Sequence, residues 1–144
     1  MKVLLDTSVL VAAPVDSHPH HQRALPWLEQ VRQQAVVAVV SAHSLAELYA
    51  VLTTLPVRPK ISPAVAYQLI EDNVIGEMET VPLTSDDYCD LVRHLSQTGI
   101  AGGAVYDGVI ACAAAKAQVD HIVTFNARDF RRVYPTLAAS VIVP

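Results

Sequence analysis

The chain has 144 residues, of which 52% are hydrophobic and 17% charged, with a formal net charge of −4. This composition suits one domain spanning residues 1–144 with a substantial core, and it excludes a disordered chain or one that grips nucleic acid by bulk positive charge. The longest apolar runs, AVVAVV and VIACAAA, fall far short of the ~20 residues of a membrane span, and Asp6 cuts the N-terminal run too early for a signal peptide. The expectation is a soluble, cytoplasmic protein with no membrane association.

In chain order, KVLLD at the start and AVVAVVS further on are β-branched apolar runs of strand length without polar alternation. That is the pattern of parallel strands covered on both faces. Between them HQRALPWLEQVRQQ places Ala24, Leu25, Leu28 and Val31 at helical spacing, with Pro26 expected in the first turn. SLAELYAVLTTL repeats Leu45, Leu48, Tyr49 and Leu52 on one face, and LPVRPKISP is kept non-helical by its prolines. SPAVAYQLIEDN begins with Ser62 as N-cap and Pro63 in the first helical position.

TVPL is a short strand candidate. TSDDYCDLVRHLSQTG opens with a Thr84–Asp87 capping box and stops at Gly99, and AVYDGVIACAAAKAQ is helical by its small residues. HIVTF and SVIV supply the last strands. The order β-α-β-α-α-β-α-α-β-(α)-β implies right-handed crossovers and a parallel sheet of four or five strands, with helices on both faces. Cys89 and Cys112 form no close pair and read as small reduced core residues.

Four acids stand out against this frame. Asp6 ends the first strand, where ligands of open parallel sheets bind, although it also suits an N-cap for TSVLVAA. Glu47 follows the second strand, and Ser44-Leu45-Ala46-Glu47 equally matches a capping box. Asp107 lies among apolar and small neighbours in AVYDGVIACAAA with no basic partner within a helical turn, so burial there demands compensation. After HIVTF, Asn126 and Asp129 offer oxygen ligands, or a turn and helix cap. Together these groups fall at one edge of the sheet, where they would repel one another without a divalent cation, and an all-oxygen set favours Mg²⁺ or Mn²⁺.

LLDTSVLVAA, SAHSLAELYAVLT, GIAGGAVYDGVIACAAAKA and HIVTFNARDF resemble the four signature blocks of PIN-domain ribonucleases, specifically VapC-type toxins of toxin–antitoxin systems. The resemblance implies a PIN-like three-layer α/β/α fold and a Mg²⁺-dependent endoribonuclease, with Mn²⁺ able to substitute. By the same likeness Asp6, Glu47 and Asp107 are metal-binding acids, and Ser8 and Thr124 line the site. Many relatives carry an acid where Asn126 stands, so Asp129 is an alternative fourth catalytic group. The resemblance also implies an RNA substrate, an antitoxin partner and a homodimer, for which SPAVAYQLIEDN and TSDDYCDLVRHL are contact candidates.

Arg128, Arg131 and Arg132 form the one basic cluster, a solvated face whose Arg128 lies close enough to NARDF for phosphate contact. SHPHHQ, with His18, His20 and His21, reads as an exposed loop entering a helix. TGIAGGA lacks dinucleotide-loop spacing. Two alternatives remain open: a catalytically impaired PIN-like binding module, and a phosphatase or phosphotransfer enzyme on a similar sheet. Haloacid-dehalogenase phosphatases need a second acid where Ser8 stands.

Overall fold

The apolar runs form five parallel strands: β1 (Lys2–Leu5), β2 (Val37–Ser41), β3 (Glu79–Val81), β4 (His121–Val123) and β5 (Val141–Ile142). They lie in the order β3-β2-β1-β4-β5 in a computed structural model that describes residues 1–144, with the side chains of all but residues 138 and 139. Leu4 pairs with Val39 on one side and Ile122 on the other.

Side chains alternate across a strand, so the lack of polar alternation means that both faces are buried. Val3, Leu5, Ala38, Val40 and Val123 face one helical layer, built from α1 (Thr7–Ala12), α2 (His21–Arg32), α3 (Ala42–Thr54) and α4 (Pro63–Ile70). Leu4, Val39 and Ile122 face the other, against Ile110 and Ala113 of α6 (Ala104–Lys116) and Phe130 of α7 (Ala127–Val133). α5 (Ser85–Thr98) joins this second layer through Leu91 and Leu95, which pack on Val109 and Val133. The result is the expected three-layer α/β/α arrangement, with five strands.

Local signals hold at several helix ends. Ser62 accepts from the Val65 N–H with Pro63 next in line, and Thr84 and Asp87 close a reciprocal capping box. Gly99 takes the left-handed conformation (φ 71°) that glycine adopts without strain at a helix end. Gly108 brings α6 close to α5, since a Cβ there would stand 2.8 Å from Leu91 Cδ1.

Three readings are corrected. Between β1 and β2 there are two helices instead of one, because the six-residue α1 is too short to display a period of its own; a single π-helical turn, Glu71–Ile75, also extends α4. Pro26 is the sixth residue of α2, not part of its first turn. Its ring lies on the exposed face while Ala24, Leu28 and Val31 anchor the buried one, so packing outweighs the lost hydrogen bond. Cys89 is exposed on α5 rather than in the core, whereas Cys112 is half-buried with its Sγ 3.2 Å from the Tyr134 hydroxyl.

Candidate active site

In a parallel sheet the crossover helices run back antiparallel to the strands, so their first turns gather at the carboxyl edge. Strand order reverses between β1 and β4, which opens a crevice there. A cavity of about 380 Å³ occupies this place, lined among others by Asp6, Ser8, Glu47, Asp107 and Asn126.

Asp6 is buried and does both things its position suggested. Its backbone caps α1, and its side chain faces the cavity. Oδ2 accepts from the hydroxyls of Ser8 at 2.6 Å and Thr124 at 2.7 Å, with a longer 3.4 Å contact from the Ser8 N–H. Ser8 Oγ in turn accepts from the Phe125 N–H at 3.1 Å, and Thr124 Oγ1 from the Asn126 N–H at 2.9 Å. Two hydroxyls thus lock one oxygen of the carboxylate and tie β1 to the end of β4.

Glu47 is not the partner of the Ser44 backbone. Ser41 is the N-cap of α3 and Ser44 lies inside the helix, fully buried, its hydroxyl accepting from Thr7 Oγ1 at 3.1 Å. The capping-box match fails because the second strand runs directly into the helix three residues earlier. Glu47 instead points into the cavity. His43 Nε2 stands 3.2 Å from its Oε2 but is not aligned as a hydrogen bond, leaving that buried oxygen without a partner. Burial and the Asp6 charge push the Glu47 carboxyl up from its ordinary range, against the pull of His43.

Asp107 sits in the first turn of α6, with Asn126 Nδ2 at 3.4 Å from each of its oxygens. Burial, then Asp6 and Asp129, push its carboxyl up to about 7, with Asn126 opposing and Glu47 adding to the rise. Asn126 lines the cavity; Asp129, in the first turn of α7, lies outside its lining but near enough for its charge to reach Asp107. Arg128 is exposed on the same turn, and Thr124 acts through Asp6.

The histidine loop differs from its reading as an exposed segment. His18 and His20 are half-buried and line the cavity. His20 stacks on Phe125 with centroids 4.4 Å apart and planes 17° off parallel, and His18 leans on His20 at 5.8 Å. A second stack, His43 on Tyr106 at 5.4 Å, bridges α3 and α6. Spacing along the chain could not pair these aromatic groups; the cluster of histidines in SHPHHQ was the one local signal.

The residues fit a divalent cation. The donors are oxygens, the carboxylates raise one another's proton affinity, and Glu47 Oε2 is buried without a hydrogen-bond partner. Among the described residues no three His, Cys, Asp or Glu side chains are close enough to form a ready-made metal cage.

A parallel α/β domain with acids at its strand-order reversal is a class that known proteins share. The PIN-domain family model matches residues 3–134. Ribonuclease VapC27 of Mycobacterium tuberculosis is 32% identical over 139 residues, covering 96% of this chain and 94% of the relative. Among solved structures, Mycobacterium tuberculosis VapC20, a sarcin–ricin loop cleaving toxin, superposes with a TM-score of 0.69 at 15% identity, over 88% of this chain and 92% of that one. VapBC2 of Rickettsia felis bound to a promoter DNA fragment superposes with a TM-score of 0.67 at 21% identity, over 100% of this chain and 98% of that one. The chain belongs to the PIN-domain family, in its VapC group.

Proposed function

We propose that this protein is a Mg²⁺-dependent endoribonuclease that hydrolyses RNA phosphodiester bonds, with Mn²⁺ able to substitute. The observation that carries this reading is that Asp6, Glu47 and Asp107 line one cavity at the carboxyl edge. When bound, the divalent ion activates water and offsets charge on the phosphate. Asp6, Glu47 and Asp107 hold it, and Asn126 supplies an amide beside Asp107. Ser8 and Thr124 fix the orientation of Asp6, so its other oxygen is presented in one direction. Without the ion the Asp107 carboxyl is pushed up to about 7, so metal binding near neutral pH would displace its proton. Asp129 strengthens the acidic field from outside the lining, and exposed Arg128 would meet a distal phosphate.

The same reading makes residues 1–144 one cytoplasmic domain. Among the described residues no helix is long and apolar enough to cross a membrane. The protein acts as a toxin held by an antitoxin, as the naming of its VapC relatives and the VapBC2 assembly suggest. It forms a homodimer through apolar faces such as those exposing Tyr67 on α4 and Val92 on α5. The phosphatase alternative lacks its second acid, since Ser8 uses its hydroxyl on Asp6. Incubation of the purified chain with single-stranded RNA in Mg²⁺, Mn²⁺ or EDTA tests the proposal. Cleavage confined to the metal-containing samples is expected, and intact RNA in all three would leave the impaired binding module as the reading.

A further inference from the structure

We propose that the cavity beside the acids contains a subsite for one unpaired RNA base, built on the His20–Phe125 stack and completed by Val51 of α3 and by Leu55, which follows that helix. This rests on the ribonuclease reading and names what part of the substrate the site takes. Three observations carry it.

The cavity lining is of two chemical kinds. Beside the acids it includes Val51, Leu55, Phe125 and the imidazoles of His18 and His20, surfaces on which a base stacks and a phosphate does not. The aromatic wall is also fixed in register with the acids. The Phe125 N–H donates to Ser8 Oγ at 3.1 Å, and Ser8 Oγ donates to Asp6 Oδ2 at 2.6 Å, so two hydrogen bonds separate the stack from the first acid. Arg23 sets its guanidinium carbon 5.2 Å from the Phe125 ring centroid, and the His20 N–H donates to His18 Nδ1 at 3.1 Å, which together hold the loop against that ring.

The third observation is the charge balance. A chain of net charge −4 with one cluster of exposed arginines offers little positive surface for phosphate contacts. Stacking supplies affinity that needs no positive surface and tolerates any base, because every base has a π-face. His20 and Asp6 line the same cavity, so a base against the one and a phosphate near the other belong to a single bound nucleotide in this proposal.

Titrating the full chain in Mg²⁺ with nucleoside 5′-monophosphates and with ribose 5-phosphate, followed by the NMR signals of the His20 ring, tests the subsite. Upfield ring shifts and roughly tenfold tighter binding of the nucleotides than of the sugar phosphate are expected. His20→Ala should abolish that preference and His20→Tyr should restore it, while Mg²⁺ binding stays unchanged in both. Equal binding of nucleotide and sugar phosphate, or an unmoved His20 ring in the wild-type chain, would overturn the inference even if His20→Ala fails to fold. RNA cleavage is scored separately. A chain that cleaves RNA but binds nucleotides no better than ribose 5-phosphate loses the subsite and keeps the activity; one that shows the nucleotide preference without cleaving loses the activity and keeps the subsite.

Discussion

The Thr124 hydroxyl donates to Asp6 Oδ2 at 2.7 Å, joining the ends of the two strands between which strand order reverses, 118 residues apart in the chain. The same oxygen accepts from the Asn126 N–H, so one buried hydroxyl serves the acid on one side and the start of α7 on the other.

Thr124→Val keeps the shape and deletes both hydrogen bonds. It leaves the half-buried Asn126 N–H without its partner and strips Asp6 of a donor, a loss of about 1–3 kcal/mol. Thermal denaturation should show a melting point several degrees lower, and RNA cleavage should fall with it because Asp6 is no longer held. An unchanged melting point would mean that water replaces the hydroxyl.

Asp107→Asn should separate metal binding from folding. It preserves size while removing one of the charges that repel Asp6, Asp129 and Glu47. Mg²⁺ affinity and cleavage should collapse together, and the metal-free protein should be as stable as the wild type or more so. Calorimetric Mg²⁺ titration beside a melting curve checks both halves. A stable Asp107→Asn protein cleaving RNA at the wild-type rate would remove Asp107 from the mechanism.

The acidic centre also fixes a pH dependence. The Asp107 carboxyl lies at about 7 when folded, above its ordinary value of 3.8. Between those values the folded chain binds more protons than the unfolded one, so this group's contribution makes stability fall as pH rises through that window. Melting in EDTA should therefore show this fall between about pH 4 and pH 7, and Mg²⁺ should reduce it by neutralising the ionised site. Asp107→Asn should flatten the EDTA curve. A wild-type curve that does not respond to that substitution would place the titration elsewhere.

On the opposite face, Lys116 Nζ donates to Asp87 Oδ2 at 2.8 Å while Asp87 closes the α5 capping box. The Lys116 contact, followed by the Thr84 backbone, lowers the Asp87 carboxyl to about 2. A depressed carboxyl gives stability that is present above its ordinary value of 3.8 and lost as pH falls toward 2. Lys116→Met should lower the melting point slightly at pH values above about 4, with the difference vanishing as pH falls toward 2, since the contribution is present above the ordinary carboxyl value and the exposed pair is worth little. Equal melting points at every pH would assign the shift to the Thr84 contacts alone.

The sequence by itself determined the layers and most of the punctuation. KVLLD and AVVAVVS carry no polar alternation because both faces of β1 and β2 are covered, and that requirement is written residue by residue. Thr84, Asp87 and Gly99 act on atoms within a few positions, so their roles were legible locally. Asp107 was legible as well, because an acid without a helical partner in an apolar segment needs compensation wherever the segment packs. Tertiary structure decided what depends on distant segments meeting. Ser44 matched a cap by spacing, yet its hydroxyl belongs to Thr7, 37 residues away. Asn126 and Asp129 were equivalent as sequence, and only the direction in which α7 leaves β4 puts Asn126 in the cavity. The largest gap was SHPHHQ. Its histidines look solvated along the chain, and they become a wall of the site because Phe125, arriving from the other side of the strand-order reversal, gives His20 a ring to stack on.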